Sequence, residues 1–500
     1  MTTINRRDFS RLLLTAGALG LVDSSAVARA LAGDSRQLDW ITSRSAGPEG
    51  EWKLKKVDGR IPKDLSGTLV RTCAGQRENH GVRLRHIFDG DAFVTAYTFE
   101  DGAARVRARY VDTPQRVEEL KAGRMLYDEF GTPAPPPPAG WKPNQGKNQP
   151  TVNIVRWDGR LLGLSEGGAP TAIDPETLAY RGEWSFHGTF PSDLTFTAHP
   201  RMDVAAGEGY AYGIRKGMGT SLVVFRMERD GKLTKLYDLP QTGFFIVHDM
   251  LLTREHILFL IPPARFDFQL FFSGQAKVAA DAVRFYEKEP MRILVLRRDG
   301  KGEPVTIEQP SAMAFHHGNA FERDGKIVLD TVISPDGAAL RAVYSFSKGE
   351  TPEPGKQRLT RFEIDPAKRT VSRRDVLDDR NVEFPRFDER RMGHDARYLY
   401  TLSFEGDPNA VAASAILRHD LQKGTASRIA AGTGRFYGEA VFASHPGDAR
   451  EDRGWLLAQG YDASRAENFV EIRDAETLEL EARVWAGLYA PLGFHGNFVR

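Results

Sequence analysis

Short apolar runs of four to eight residues recur from about residue 60 to the C-terminus, each closed by a turn signal, and no other feature limits the fold as strongly. TVNIVRWDGRLLGLSE, SLVVFRMERDGKLTKLYDL, HILFLIPP, RILVLRRDG, QRLTRFEID and AILRHDLQKG are the clearest examples. Their β-branched, leucine and aromatic residues favour strands, and the D-G, Pro and Asn punctuation cuts them into hairpins. Long helical periodicity is scarce; EELKAGRMLYDEF (118–130) and parts of 264–288 are the best helix candidates. So many hairpins in one chain predict an all-β propeller or another closed β architecture, because closure removes exposed sheet edges. No clean 40–45-residue repeat with a shared signature is found. A propeller with irregular, insertion-rich blades is therefore preferred to an array of the WD type.

Two insertions interrupt the pattern. PAPPPPAG (133–140) cannot pair in a sheet, because proline lacks the ladder donor, and is expected as a rigid surface connection. ARFDFQLFFSGQAKVAADAVRFY (264–286) gathers Phe266, Phe268, Phe271 and Phe272. It is expected as a helical hairpin capping the barrel. Its sharper reading is an apolar mouth, lining a tunnel for a greasy ligand or touching a membrane surface.

The N-terminus is of a different kind. Arg6 and Arg7, then Phe9, precede the apolar run LLLTAGALGLV, and AVARALA offers small-residue cleavage positions after Ala28 or Ala32. A basic start, a short apolar stretch and such a site predict an export signal over 1–32, of the twin-arginine type, and a periplasmic or exported protein. Residues 33–500 are then expected to form a single β-propeller domain. The one cysteine, Cys73, excludes an intramolecular disulfide and any multi-cysteine zinc or iron–sulfur site. A net charge of +1, with no basic stripe, argues against nucleic acid as a partner.

Among twelve histidines, four share a context of apolar neighbours followed by Gly, Pro, Asp or Asn. They are TAHPRMD (His199), IVHDMLLT (His248), AFHHGNAFE (His316 or His317) and GFHGNF (His495). Intervals of 49, 68 and 179 residues rule out a helical i, i+4 ligand pair. A metal site built from them needs a fold that carries four distant strands to one axis, as a propeller does. His80, His187, His256, His394, His419 and His445 are assigned to loop or surface positions.

These contexts resemble the carotenoid cleavage oxygenases, a family that includes apocarotenoid oxygenases, lignostilbene dioxygenases and the retinoid isomerase. GTLVRTCAG (67–75), HIFDGDAFVTAYTFEDG (86–102), LSEGGAPTAIDPETL (164–178), VHDM (247–250), FHHGNAFE (315–322), EFPRFDERRMG (383–393), YGEAVF (437–442) and PLGFHGNF (491–498) carry the resemblance, in order along the chain. It implies a seven-bladed β-propeller with a helical and loop cap, and Fe(2+) on the axis held by His199, His248, His316 and His495. In the family pattern the ligand follows an aromatic and precedes two variable residues and Asn-Ala, which selects His316 over His317. The resemblance also implies that Glu166, Glu383 and Glu439 fix three of the imidazoles, as metal-bound histidines require.

The implied reaction is cleavage of a C=C bond of a carotenoid or apocarotenoid by dioxygen, giving aldehydes or ketones, with no protein nucleophile or general base. The expected partners are dioxygen, a hydrophobic polyene and, peripherally, a membrane. Stilbene cleavage is the alternative substrate class. That branch carries a lysine just before the first glutamate, where this chain has Ser165. A second departure is Ala92, where glycine is common. A propeller that binds lipid without catalysis is the alternative outside enzymes, and iron analysis separates it from the oxygenase.

Overall fold

The computed structural model describes residues 40–41, 43–142, 146–215, 220–241, 243–348, 356–404 and 412–500, so the export signal expected over 1–32 lies outside the described residues. Seven antiparallel sheets of four or five strands follow one another and form a seven-bladed β-propeller. Their innermost strands begin at residues 153, 201, 251, 317, 382, 435 and 496, so blade spacing is uneven and no fixed period is legible in the sequence.

The first blade contains strands Gly67–Ala74, Ala92–Glu100 and Ala103–Tyr110, with Gly50–Lys53 on its outer edge. Its innermost strand is Gly496–Val499, from the far end of the chain, which pairs with Thr68–Arg71. The seventh blade is completed in the opposite sense: Val57–Gly59 adds outside Leu480–Trp485. Both ends of the β domain are thus built into blades begun by the other end, and the ring closes twice.

The period-2 alternation of the strands explains where the core sits. A strand in a blade is covered on both faces, so successive residues pack against different neighbours. In the fourth blade Ile257, Phe259 and Ile261 pack with Tyr212 and Val224 of the third. Leu258 and Leu260 pack with Leu329 and Phe362 of the fifth. Equivalent clusters fill the other gaps between blades, for instance Phe93 and Tyr97 against Leu457 and Ile472 between the first and seventh. Each such aliphatic or aromatic side chain contributes about 1.5–3 kcal/mol on burial.

The helices belong to a cap. The expected helix over 118–130 is found at Pro114–Ala122. Thr113 caps its first turn, Pro114 enters at the start, and Gly123, at φ 62°, ends it, so residues 124–130 leave as irregular chain. The expected helical hairpin over 264–286 is also corrected. Strands Ala264–Phe266 and Val283–Phe285 pair with each other, and only the short turns Gln269–Phe272 and Ala279–Ala282 are helical. Aromatic and β-branched residues at both ends favour pairing, and Gly274, at φ 71°, breaks the middle. The proline run 135–138 is irregular, with Pro136 to Pro138 exposed, as expected. No described helix is long and apolar enough to cross a membrane.

Candidate metal centre

His199, His248 and His316 each stand just before the innermost strand of the third, fourth and fifth blades, and His495 just before that of the first. That shared position turns four distant segments inward. The Nε2 atoms converge: His199 to His248 at 3.0 Å, His248 to His316 at 3.2 Å, and His316 to His495 at 3.0 Å. One ligand-capable nitrogen from each lies within 4.8 Å of the others.

The carboxylates predicted to accompany them are in place. His248 Nδ1 lies 2.9 Å from Glu166 Oε2, His316 Nδ1 2.6 Å from Glu383 Oε2, and His495 Nδ1 2.9 Å from Glu439 Oε1. A carboxylate only accepts, so each Nδ1 carries the proton and each Nε2 presents a lone pair inward. Three lone pairs about 3 Å apart repel unless a cation sits between them, so this donor set is compatible with a metal ion. Nitrogens about 2.1 Å from a metal are about 3.0 Å apart at right angles and about 3.4 Å apart in a tetrahedron. The observed spacing fits the right-angled arrangement, and neutral imidazoles suit a divalent transition metal.

Local backbone irregularities aim these groups. Register breaks occur between His317 and Ala320, between Glu383 and Arg386, and between Tyr437 and Ala440. A bulge re-aims a side chain without moving the blade. Glu166 and Phe384 adopt φ of 63° and 56°, a region costly for any residue with a Cβ. Phe384 stacks on His316, with ring centroids 4.9 Å apart. Sequence reading missed Phe384, although it lies inside the EFPRFDERRMG segment.

Electrostatics follow from burial and pairing. Burial would raise Glu439, but Arg386, His495 and Arg71 outweigh it and bring the carboxyl down to about 2. Arg386 donates to Glu439 Oε2, to Gly496 O and to Asn497 Oδ1, so it ties the seventh blade to the closing strand. Sequence reading missed Arg386 as well. Burial lowers His495 to about 4 and pushes His199 well below the usual imidazole range. Both are therefore neutral at ordinary pH.

His317 points elsewhere. Its Nδ1 bonds to Thr331 Oγ1 at 2.7 Å inside the fifth blade, and its backbone N–H donates to Asp249 Oδ2. Of the histidines assigned to loops or the surface, His80, His187 and His394 are exposed, and His256 and His445 partly so. His419 is corrected: it is buried on strand Ala415–Asp420, with Nε2 2.9 Å from Thr401 Oγ1. Its Nδ1 also lies 3.5 Å from Asp378 Oδ2 of the fifth blade, so an adjacent blade covers a residue whose local sequence looks exposed.

A cavity of about 790 Å³ leads to the centre and is lined by His248, His316 and His495 together with all three glutamates. Its wall is mostly apolar, with Phe88, Phe130, Phe196, Phe315 and Phe494 among the rings that line it. Of the four tunnel candidates, Phe266 and Phe271 line it. Phe268 and Phe272 do not; they are 38% and 89% exposed. Ser165 lines the cavity, but its hydroxyl already donates to Asn148 Oδ1 at 2.7 Å.

Comparisons with known proteins agree with this geometry. The family described as retinal pigment epithelial membrane protein (RPE65) matches residues 44–500. Apocarotenoid-15,15'-oxygenase of Synechocystis sp. is 32% identical over 485 residues, covering 92% of this chain and 96% of that protein. Resveratrol cleavage oxygenase 1 of Aspergillus fumigatus is 27% identical over 476 residues, covering 90% of this chain and 93% of that protein. The crystal structure of cobalt-substituted Synechocystis ACO superposes with a TM-score of 0.83 at 30% identity, covering 93% of this chain and 99% of that one.

Proposed function

Because the chain belongs to the RPE65/carotenoid oxygenase family, we propose that its four-histidine centre holds Fe(2+) and that its cavity takes a polyene of the carotenoid or apocarotenoid class. The protein is an oxygenase of that family. The observation that supports the rest is the convergence of four imidazole Nε2 atoms at the end of a deep, mostly apolar cavity.

A ferrous ion bound there supplies the activation of dioxygen, and cleavage of one C=C bond leaves one oxygen atom on each former alkene carbon as an aldehyde or ketone. The chain's own residues position and shield. Glu166, Glu383 and Glu439 hold the Nδ1 protons and so fix ring tautomer and orientation. The phenylalanine-rich wall takes up a conjugated chain by burying apolar surface and keeps water from the alkene. Ser165 offers no charge for a phenol and its hydroxyl is engaged, which favours a polyene over a hydroxystilbene.

Incubating iron-loaded protein with a panel of apocarotenoids, carotenoids and hydroxystilbenes, and reading products by mass spectrometry, tests this. Polyene cleavage with ¹⁸O from ¹⁸O₂ in the products is expected, and turnover should fall at least about 100-fold without dioxygen. Turnover at the aerobic rate under anaerobic conditions would refute the reading.

The proposal extends to a membrane surface as the source of the polyene. Phe272 projects, 89% exposed, from the same short turn whose Phe271 lines the cavity. An exposed aromatic beside an apolar opening is suited to the acyl–headgroup boundary. Phe272→Glu is expected to lower co-sedimentation with liposomes at least about fivefold while leaving metal content intact. Equal co-sedimentation of the two proteins would count against the contact. Export by the twin-arginine route remains part of the proposal, supported by Arg6, Arg7 and the apolar run after them.

A further inference from the structure

The cavity has one wall that does not suit a hydrocarbon. Glu129 lines it, with a side chain only 6% exposed. Its Oε1 accepts from Lys147 Nζ at 2.6 Å, and among the described residues Oε2 makes no hydrogen bond. Asp128 and Lys277 line the same cavity but are exposed, so water competes for them.

The network behind Glu129 is buried and densely paired. Lys147 Nζ donates to Glu119 Oε2 at 2.9 Å and to Glu129 Oε1 at 2.6 Å, and lies 3.0 Å from Asp91 Oδ1 as an ion pair. Asp91 is also paired with Arg116 at 2.6 Å. Glu119 also accepts from Asn79 Nδ2 and from the backbone N–H groups of Leu126 and Tyr127. Of the three carboxylates, Glu129 alone lines the cavity.

Charge balance points the same way. Lys147 and Arg116 face Asp91, Glu119 and Glu129, with Asp112 also on Arg116 and buried Asp89 acting on Glu129, so carboxylates outnumber cations. The three carboxylates outweigh the burial of Lys147 and hold it charged. Burial pushes the Glu129 carboxyl up to about 7, so it is the group that takes the proton. Protonated, it presents an O–H to the cavity; ionised, it presents an acceptor.

The spot shares the cavity with the histidines but none of their hydrogen bonds. Phe130 follows Glu129 in the chain; its ring is 5.4 Å from Phe88, and Phe88 is 5.0 Å from Phe494, the neighbour of His495. These edge-to-face rings line the cavity between the Glu129 and His495 segments and offer an apolar chain a surface to lie on.

We propose that Glu129 is a specificity-determining residue whose Oε2 hydrogen-bonds an oxygen function at one end of the substrate chain, selecting oxygenated polyenes and fixing how far they enter. This rests on the polyene reading above. An apolar end placed there would leave a buried carboxyl unpaired, which a site of this kind penalises.

The test uses a hydrocarbon polyene and the same chain with a hydroxyl at each end, with binding read by quenching of tryptophan fluorescence and cleavage read in parallel. The full protein is expected to bind the hydroxylated member at least about 10-fold more tightly. Equal affinity, or binding of neither, overturns the proposal whatever the variants do. Glu129→Leu should bring the ratio to within about twofold, while Glu129→Gln, which keeps a donor and an acceptor in place, should retain most of it. Undiminished discrimination in Glu129→Leu also overturns it. Discrimination without cleavage condemns the oxygenase reading and leaves the role of Glu129 standing; cleavage without discrimination does the reverse.

Discussion

Removing residues 493–500 is expected to abolish metal binding and to lower the thermal midpoint by at least about 5 °C. Two losses coincide in this segment. His495 carries one of the four converging nitrogens. Gly496–Val499 is the innermost strand of the first blade, paired with Thr68–Arg71. Without it Arg386 loses Gly496 O and Asn497 Oδ1, and Glu439 loses both His495 and the Gly496 N–H. Stripping partners from buried charges costs about 3–5 kcal/mol. His495→Ala in the full chain separates the effects, because it removes the nitrogen and keeps the strand. That variant should lose metal and keep most of its stability. Metal analysis and thermal melting of the two proteins decide it; full metal occupancy in the truncated chain would sink the four-histidine assignment.

His316→Ala should reduce bound metal to background and activity by at least about 100-fold, while His317→Ala keeps metal and stays within about threefold in activity. The two residues are adjacent and both buried, so burial does not tell them apart. Direction does. His316 Nε2 lies 3.0–3.2 Å from two other imidazoles, and its Nδ1 is held by Glu383. The His317 ring bonds Thr331, and its links to Asp249 and Arg201 run through its backbone, which alanine preserves. His317→Ala should still cost about 1–3 kcal/mol in chemical denaturation, because Thr331 loses a buried partner. Equal metal loss in both variants would contradict the assignment.

The glutamates, and His316 as against His317, were legible only through the family resemblance that their short segments carry. Phe384 and Arg386 were not singled out, although the same segment contains them. Nothing local distinguishes a phenylalanine at φ 56° from one in a strand, and Arg386 acquires its role only from Glu439 and residues 496–497. His419 was misplaced for the same reason. Its neighbours in sequence resemble a surface strand, and its cover comes from the rest of the sheet and an adjacent blade. Within 264–286 the four phenylalanines looked alike, yet Phe266 and Phe271 line the cavity while Phe268 and Phe272 face out. The sign of that difference depends on short turns between paired strands, where a single residue changes the face.

By itself the sequence determined an all-β chain of many hairpins, the choice of His316 over His317 and the pairing of glutamates with histidines by family resemblance. These are properties of short segments, carried by strand alternation, turn residues and local motif. The tertiary structure alone decided that four segments meet with nitrogens about 3 Å apart, that the two chain ends close the ring in each other's blades, and that Glu129 faces the cavity with an oxygen to spare. The physical reason is that pairing energies and charge balance at such points are sums over groups hundreds of residues apart, which have no common signature until the fold brings them together.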